Sequence, residues 1–117
     1  MIQKNKTYLV TGATGTIGKH LCSKILSLGG NVIALSRNRK KLNSLKKSYP
    51  EIKILSGDVV NNWQIKYTIN EFKIDGIFHL AALASGSQSG DIIESINTNL
   101  LGTMNILNVS LSNNFDF

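Results

Sequence analysis

A chain of 117 residues has room for one domain with its own core and is short for two. Hydrophobic residues make up 42% and mean hydropathy is near zero, which excludes a disordered polymer, while no apolar run reaches the length that crosses a bilayer. The formal charge is +6, from 13 basic and 7 acidic residues, and six of the basic ones fall between Arg37 and Lys47, so the excess is local.

That basic run reads as a nucleic-acid patch, a solvated helix face or an anion site. No aromatic residues interleave with it, which argues against nucleic acid. The N-terminal residues lack the apolar core of a secretory leader, so cytoplasmic residence is expected. The single cysteine, Cys22, stands among Leu21, Ile25 and Leu26 and is expected to pack as a buried thiol.

Thr7 to Thr11 reads as a first strand, followed at once by Gly12-Ala13-Thr14-Gly15-Thr16-Ile17-Gly18. Glycines here allow a sharp bend and close approach to the main chain, and a helical pattern follows them. The first amides of such a helix have no internal partner and carry the positive end of its dipole. A pyrophosphate satisfies both, so this turn reads as a dinucleotide-binding crossover, with Ala13, Gly15 and Gly18 in the slots of the common glycine fingerprint.

The helix runs from Ile17 to Leu28, with Ile17, Leu21, Ile25 and Leu28 at helical spacing and Gly29-Gly30 as its stop. Asn31 to Ser36 is an almost unbroken apolar run, as in a strand buried on both faces. A basic helix from about Arg39 to Lys47 turns Leu42 and Leu45 inward and ends before Pro50. Ile52 to Leu55 is a third strand. Asn61 to Phe72 is a third helix, whose Trp63 is expected to pack on the sheet.

Gly76 to Leu80 is a fourth strand, Ala81 to Gly90 a loop of small residues, and Asp91 to about Asn113 a long helix. Ile93, Ile96, Leu100, Met104, Leu107 and Leu111 share one face of that helix, and Asn99 interrupts it as an amide expected to be buried. Phe115 to Phe117 reads as the start of a fifth strand. Alternating strands and helices predict an α/β, Rossmann-like, doubly wound parallel sheet in the order 3-2-1-4, cut at the start of strand 5. The ligand site is then expected where strands 1 and 4 diverge, beside the glycine turn.

Four landmarks now stand in order: Thr11 to Gly18, the pair Gly57-Asp58, the run His79-Leu80-Ala81-Ala82, and Asn99-Leu100-Leu101-Gly102. Together they span the chain and resemble the N-terminal part of the short-chain dehydrogenase/reductase superfamily, most closely its extended branch of epimerases, dehydratases and reductases. The resemblance implies that Gly12, Thr14, Gly15 and Gly18 shape the cofactor turn and that the amides of Thr16 and Ile17 face the pyrophosphate. It implies that Asp58 accepts from the adenine, that Val59 lines its pocket, and that Leu80, Ala81 and Ala82 admit the ribose and nicotinamide. The competing role for Asp58 is helix capping. Asn99 would support the site without touching the chemistry.

The end of the second strand selects the cofactor. Ser36 leaves room and Arg37 can meet a 2′-phosphate with a planar fork, so NADP is expected over NAD. Against this, Arg37 is read as a solvated residue of the basic helix. His79 is expected as a packed histidine within strand 4, and His20 as a surface residue.

The family's serine and its tyrosine with a lysine one turn later are not found. Tyr49-Pro50-Glu51-Ile52-Lys53 matches the spacing formally, but Pro50 and the following strand keep the two side chains off a common helix face. The expected function is therefore dinucleotide binding, as part of an enzyme acting on a nucleotide sugar or related carbonyl or alcohol substrate. The alternative is a module that holds a dinucleotide without turnover. No membrane or nucleic-acid partner is expected. Self-association is expected through the apolar edge at Ile77 to Leu80.

Overall fold

In a computed structural model, which describes residues 1–83, 91–113 and 115, four strands form one parallel sheet in the order β3-β2-β1-β4. They are β1 (Thr7–Thr11), β2 (Asn31–Ser36), β3 (Lys53–Ser56) and β4 (Gly76–His79). Helices α1 (Thr16–Ser27), α2 (Arg39–Ser48) and α3 (Asn62–Phe72) make the three crossovers. The expected order and the Rossmann-like architecture are both found, with strand 3 shifted by one residue and strand 4 ending at His79.

The two-residue period of the strands sorts their side chains between two cores. Tyr8, Val10, Val32 and Ala34 meet Cys22 and Ile25 of α1 and Leu42 and Leu45 of α2 on one face. Leu9, Ile33 and Leu35 meet Ile65 and Ile69 of α3 on the other, with Ile106 and Val109. Burial pushes the Cys22 thiol up to about 11, in keeping with an inert packing role. Asp75 pins the start of β1 from below: its carboxylate accepts from the Thr7 amide and from Lys6 Nζ, both at 2.9 Å. Those two donors, the amide first, hold the carboxyl below its ordinary range.

Beyond β4, α4 (Ile92–Ile96) runs through a π-helical turn at Asn97–Leu101 into α5 (Gly102–Asn113). Asp91 starts it, accepting from Ile93 N at 2.9 Å. The inward side carries Thr98, Gly102, Asn105, Ile106, Val109 and Ser110. The apolar row of Ile93, Ile96, Leu100, Met104, Leu107 and Leu111 faces outward and is exposed.

Four other expectations are corrected. Trp63 does not pack on the sheet: it is 72% exposed and stacks on Tyr67, with ring centroids 5.5 Å apart. In α1 the buried side is Gly18, Cys22 and Ile25: of the predicted row Ile25 is buried and Leu21 partly so, while Ile17 and Leu28 are exposed. Asn99 is exposed rather than buried. Phe115 lies outside any strand and packs partly against the second core, while the rest of the predicted fifth strand (116 and 117) and residues 84–90 of the predicted loop lie outside the described residues.

Candidate functional site

The carboxyl ends of β1, β2 and β4 open onto a cavity of about 570 Å³. The turn after β1 forms its floor. Gly12 has φ +66°, and a Cβ there would sit 2.7 Å from the carbonyl carbon and oxygen of Leu80. No other residue fits that conformation and that gap together. At Gly18 a Cβ would run into the Gly12 carbonyl oxygen and lie 2.8 Å from Ala13, so this glycine lets α1 sit down on the turn.

Gly15 is different. A Cβ there would meet only the Gly12 carbonyl oxygen, at 3.4 Å, and Gly15 lines the cavity. The Gly15 main chain therefore borders open space, and no side chain caps the start of α1. The leading amides of α1 are left to an outside acceptor. This cradle fits a pyrophosphate.

Two hydroxyls tie the turn to its neighbours. Thr14 Oγ1 and Ser36 Oγ are 2.8 Å apart, and Ser36 Oγ also accepts from Asn38 N at 3.3 Å. Thr11 Oγ1 accepts from the amides of Leu80 and Ala81 at 3.1 and 3.2 Å, so its own hydrogen goes to His79 Nδ1, 2.7 Å away. The ring proton of His79 then lies on Nε2, which donates to Thr103 Oγ1 at 3.0 Å. Thr103 in turn donates to the Asn99 carbonyl at 2.6 Å. Every polar atom in this chain has one consistent role. His79 is thus a packed, neutral histidine, and its burial lowers its pKa from the ordinary 6.5.

At the far end, Arg37 Nη1 lies 2.9 Å from Glu94 Oε1 and 3.9 Å from Asp58 Oδ2. Arg37 is therefore neither a free solvated residue nor an unengaged anion receptor. Asp58 Oδ1 accepts from Val60 N at 3.1 Å, closing a local turn, while the N-cap of α3 is Asn61. Val59 is buried in the second core yet borders the cavity.

Of the residues singled out in the sequence, Gly12, Thr14, Gly15, Ser36 and Arg37 line the cavity, as do Asp58, Val59, Leu80, Ala81 and Ala82. Thr16, Ile17, Gly18 and Asn99 do not. Gly18 acts through packing, and Asn99 reaches the other way: its amide accepts from Leu83 N at 2.8 Å and donates to Leu83 O at 2.9 Å, like a rung of a sheet.

Asn38, Lys41 and Thr98 also line the cavity and were not foreseen. Gln64 braces its rim from outside, accepting from Asp58 N and donating to Ser56 O at 3.2 and 3.0 Å. Asn105 fastens Val59 and Val60 by donating to both carbonyls at 3.0 Å. The Asn61-x-x-Gln64 spacing was the available signal for the first, since it has the form of a capping box. Tyr49 and Lys53 fall at the C-cap of α2 and the start of β3, away from the cavity. Among the described residues no three His, Cys, Asp or Glu side chains converge as metal ligands, and no helix is long and apolar enough to cross a membrane.

Solved structures share this arrangement. Pen from Bacillus thuringiensis superposes with a TM-score of 0.88 at 28% identity, over 98% of this chain and 36% of its own. The UDP-glucose 4-epimerase of Bifidobacterium longum, solved with NAD+ and UDP, gives 0.80 at 29% identity, over 93% of this chain and 34% of its own. By sequence, the UDP-glucose 4-epimerase of Rickettsia rickettsii is 32% identical over 93% of this chain and 34% of its own length. The chain thus spans about a third of the length of the curated relatives it matches. Residues 8–117 match the NAD dependent epimerase/dehydratase family throughout, and the chain belongs to that family.

Proposed function

We propose that this chain holds a nicotinamide dinucleotide as the N-terminal part of an NAD(P)-dependent epimerase, dehydratase or reductase acting on a nucleotide sugar or a related carbonyl or alcohol substrate. The observation that carries the reading is the bare Gly15 main chain, which lines the cavity at the uncapped start of α1. Thr16 and Ile17 would present amides to the pyrophosphate, Asp58 and Val59 would bound the adenine, and Leu80 to Ala82 would underlie the nicotinamide half. The dinucleotide, when bound, supplies hydride exchange; this chain's residues bind and orient it. Cytoplasmic residence belongs to the same proposal.

Both NADP and NAD fit the rim. Ser36 and Arg37 speak for NADP, and Glu94 and Asp58 beside Arg37 speak against it. Calorimetric titration with each cofactor tests the reading. Arg37→Ala is expected to weaken NADP by about tenfold, the scale of one hydrogen bond to a charged group, and to leave NAD almost unchanged. Equal loss for both cofactors would refute the role given to Arg37, and no heat with either would refute the site.

The alternative reading is retention of a dinucleotide without turnover. Self-association belongs here too. Among the described strands β4 pairs only with β1, and a groove of about 660 Å³ runs along it beside Ile77, Phe78, Ile106 and Phe115. An unpaired edge of this composition is expected to draw the chain into dimers or larger species. Sedimentation velocity that shows a concentration-independent monomer would contradict this.

A further inference from the structure

The sequence offers Arg37 as a cation at the end of β2, but the fold supplies it with a counter-ion from a distant element. Glu94, 57 residues further on in α4, meets Arg37 Nη1 at 2.9 Å, while Asp58 stands at 3.9 Å from the same nitrogen. One guanidinium therefore faces two carboxylates at the mouth of the cavity. The pair is open to water, with side-chain exposures of 47% for Arg37 and 43% for Glu94, so it is a weak latch that a ligand can open.

We propose that Glu94 sets the cofactor preference of the cavity by holding Arg37 away from a 2′-phosphate. This rests on the dinucleotide reading above. A phosphate monoester at that position carries a charge of about −1.5 to −2 and competes for the Nη1 donor that Glu94 now accepts. To take it, Arg37 must leave Glu94 or share its donors. In either case Arg37 gives up to the new anion donors that Glu94 and Asp58 now engage. A ribose with a free 2′-hydroxyl imposes no such exchange. Glu94 therefore acts only against the phosphorylated cofactor, and Lys41, which lines the same cavity, is a cation that Glu94 is not seen to engage.

The test is a calorimetric titration of the full chain with NAD and with NADP, at one fixed ionic strength, for wild type, Glu94→Gln, Arg37→Ala and the double variant. Glu94→Gln keeps the shape of the exposed side chain and removes its charge. It is expected to tighten NADP about two- to fivefold, the range of an exposed ion pair, with NAD unchanged. In the Arg37→Ala background that gain should vanish. An equal gain for both cofactors, no gain, or a gain that survives without Arg37 would overturn the assignment to Glu94 while both titrations still saturate. If folded wild type and all variants bind neither cofactor, the dinucleotide reading itself falls, and the role of Glu94 with it.

Discussion

Gly12→Ala and Gly15→Ala are expected to separate folding from binding at the same turn. Gly12 sits at φ +66° with its α-carbon hydrogens against the Leu80 carbonyl, where a methyl group would lie 2.7 Å from two backbone atoms. Left-handed backbone costs an alanine about 1–2 kcal/mol, and the overlap adds about 1–3 kcal/mol, because β4 cannot retreat without losing its pairing to β1. The sum should lower Tm by about 10 °C or more in a domain of this size. Gly15→Ala adds its methyl at ordinary φ, with a single neighbour at 3.4 Å. Stability should change by less than about 0.5 kcal/mol, but the methyl enters the space where a pyrophosphate would lie. Dinucleotide affinity should then fall tenfold or more with the melt unmoved. Loss of stability in Gly15→Ala, or retained affinity, would show that this strip of main chain does not meet the ligand.

The contrast explains what was legible in the residues. The strand order and the crossovers follow from patterns written locally: period-2 apolar runs, a glycine turn, and stop signals at Gly29-Gly30 and Pro50. The cavity residues Gly12, Gly15, Ser36 and Arg37 follow from the glycine turn and the end of the second strand, whereas Asp58, Val59, Leu80, Ala81 and Ala82 follow only from the family resemblance. What was missed depends on which side of an element meets the sheet. The row Ile93, Ile96, Leu100, Met104, Leu107 and Leu111 is the more apolar face of its helix, yet it points outward on both sides of the π-helical turn at 97–101, and the small and polar face meets the sheet. Asn99 is exposed, and the buried amide of the helix is Asn105. Nothing in the local sequence marks which face turns inward. Trp63 failed for a related reason: α3 fills its inward side with Ile65, Thr68 and Ile69, and the largest residue is left outside. The Arg37–Glu94 pair joins residues with no sequence relation, and only the fold brings them together.

Thr11→Val is expected to loosen the same cavity from below. The hydroxyl is wholly buried and serves three partners at once: the amides of Leu80 and Ala81 and the ring of His79. Valine keeps the shape and removes all three contacts. Leu80 N retains the Thr11 carbonyl at 3.2 Å, so the uncompensated groups are Ala81 N–H and His79 Nδ1. At about 1–3 kcal/mol for each buried polar group left without a partner, the loss should reach about 2–6 kcal/mol, and Thr11→Ser should recover most of it. Because Leu80 and Ala81 floor the cavity, cofactor affinity should follow the same order.

The network also predicts a pH dependence. His79 is held neutral in the fold, whereas in the unfolded chain it takes up a proton near pH 6.5. Below that pH the unfolded state binds more protons, so stability falls as the solution is acidified and levels off once the pH passes beneath the lowered folded value. Protonation would also aim Nδ1–H at a Thr11 oxygen whose lone pairs are already taken by two amides. Asp75 acts in a separate window, its contribution being lost only as the pH falls through a folded pKa below 3.8. Thermal melts of His79→Gln should therefore be flat just below pH 6.5, where wild type declines, and should rejoin its slope once the pH passes beneath the lowered folded value. A wild-type melt that does not decline below pH 6.5, or a decline that persists in His79→Gln, would mean that the proton is not excluded at this ring.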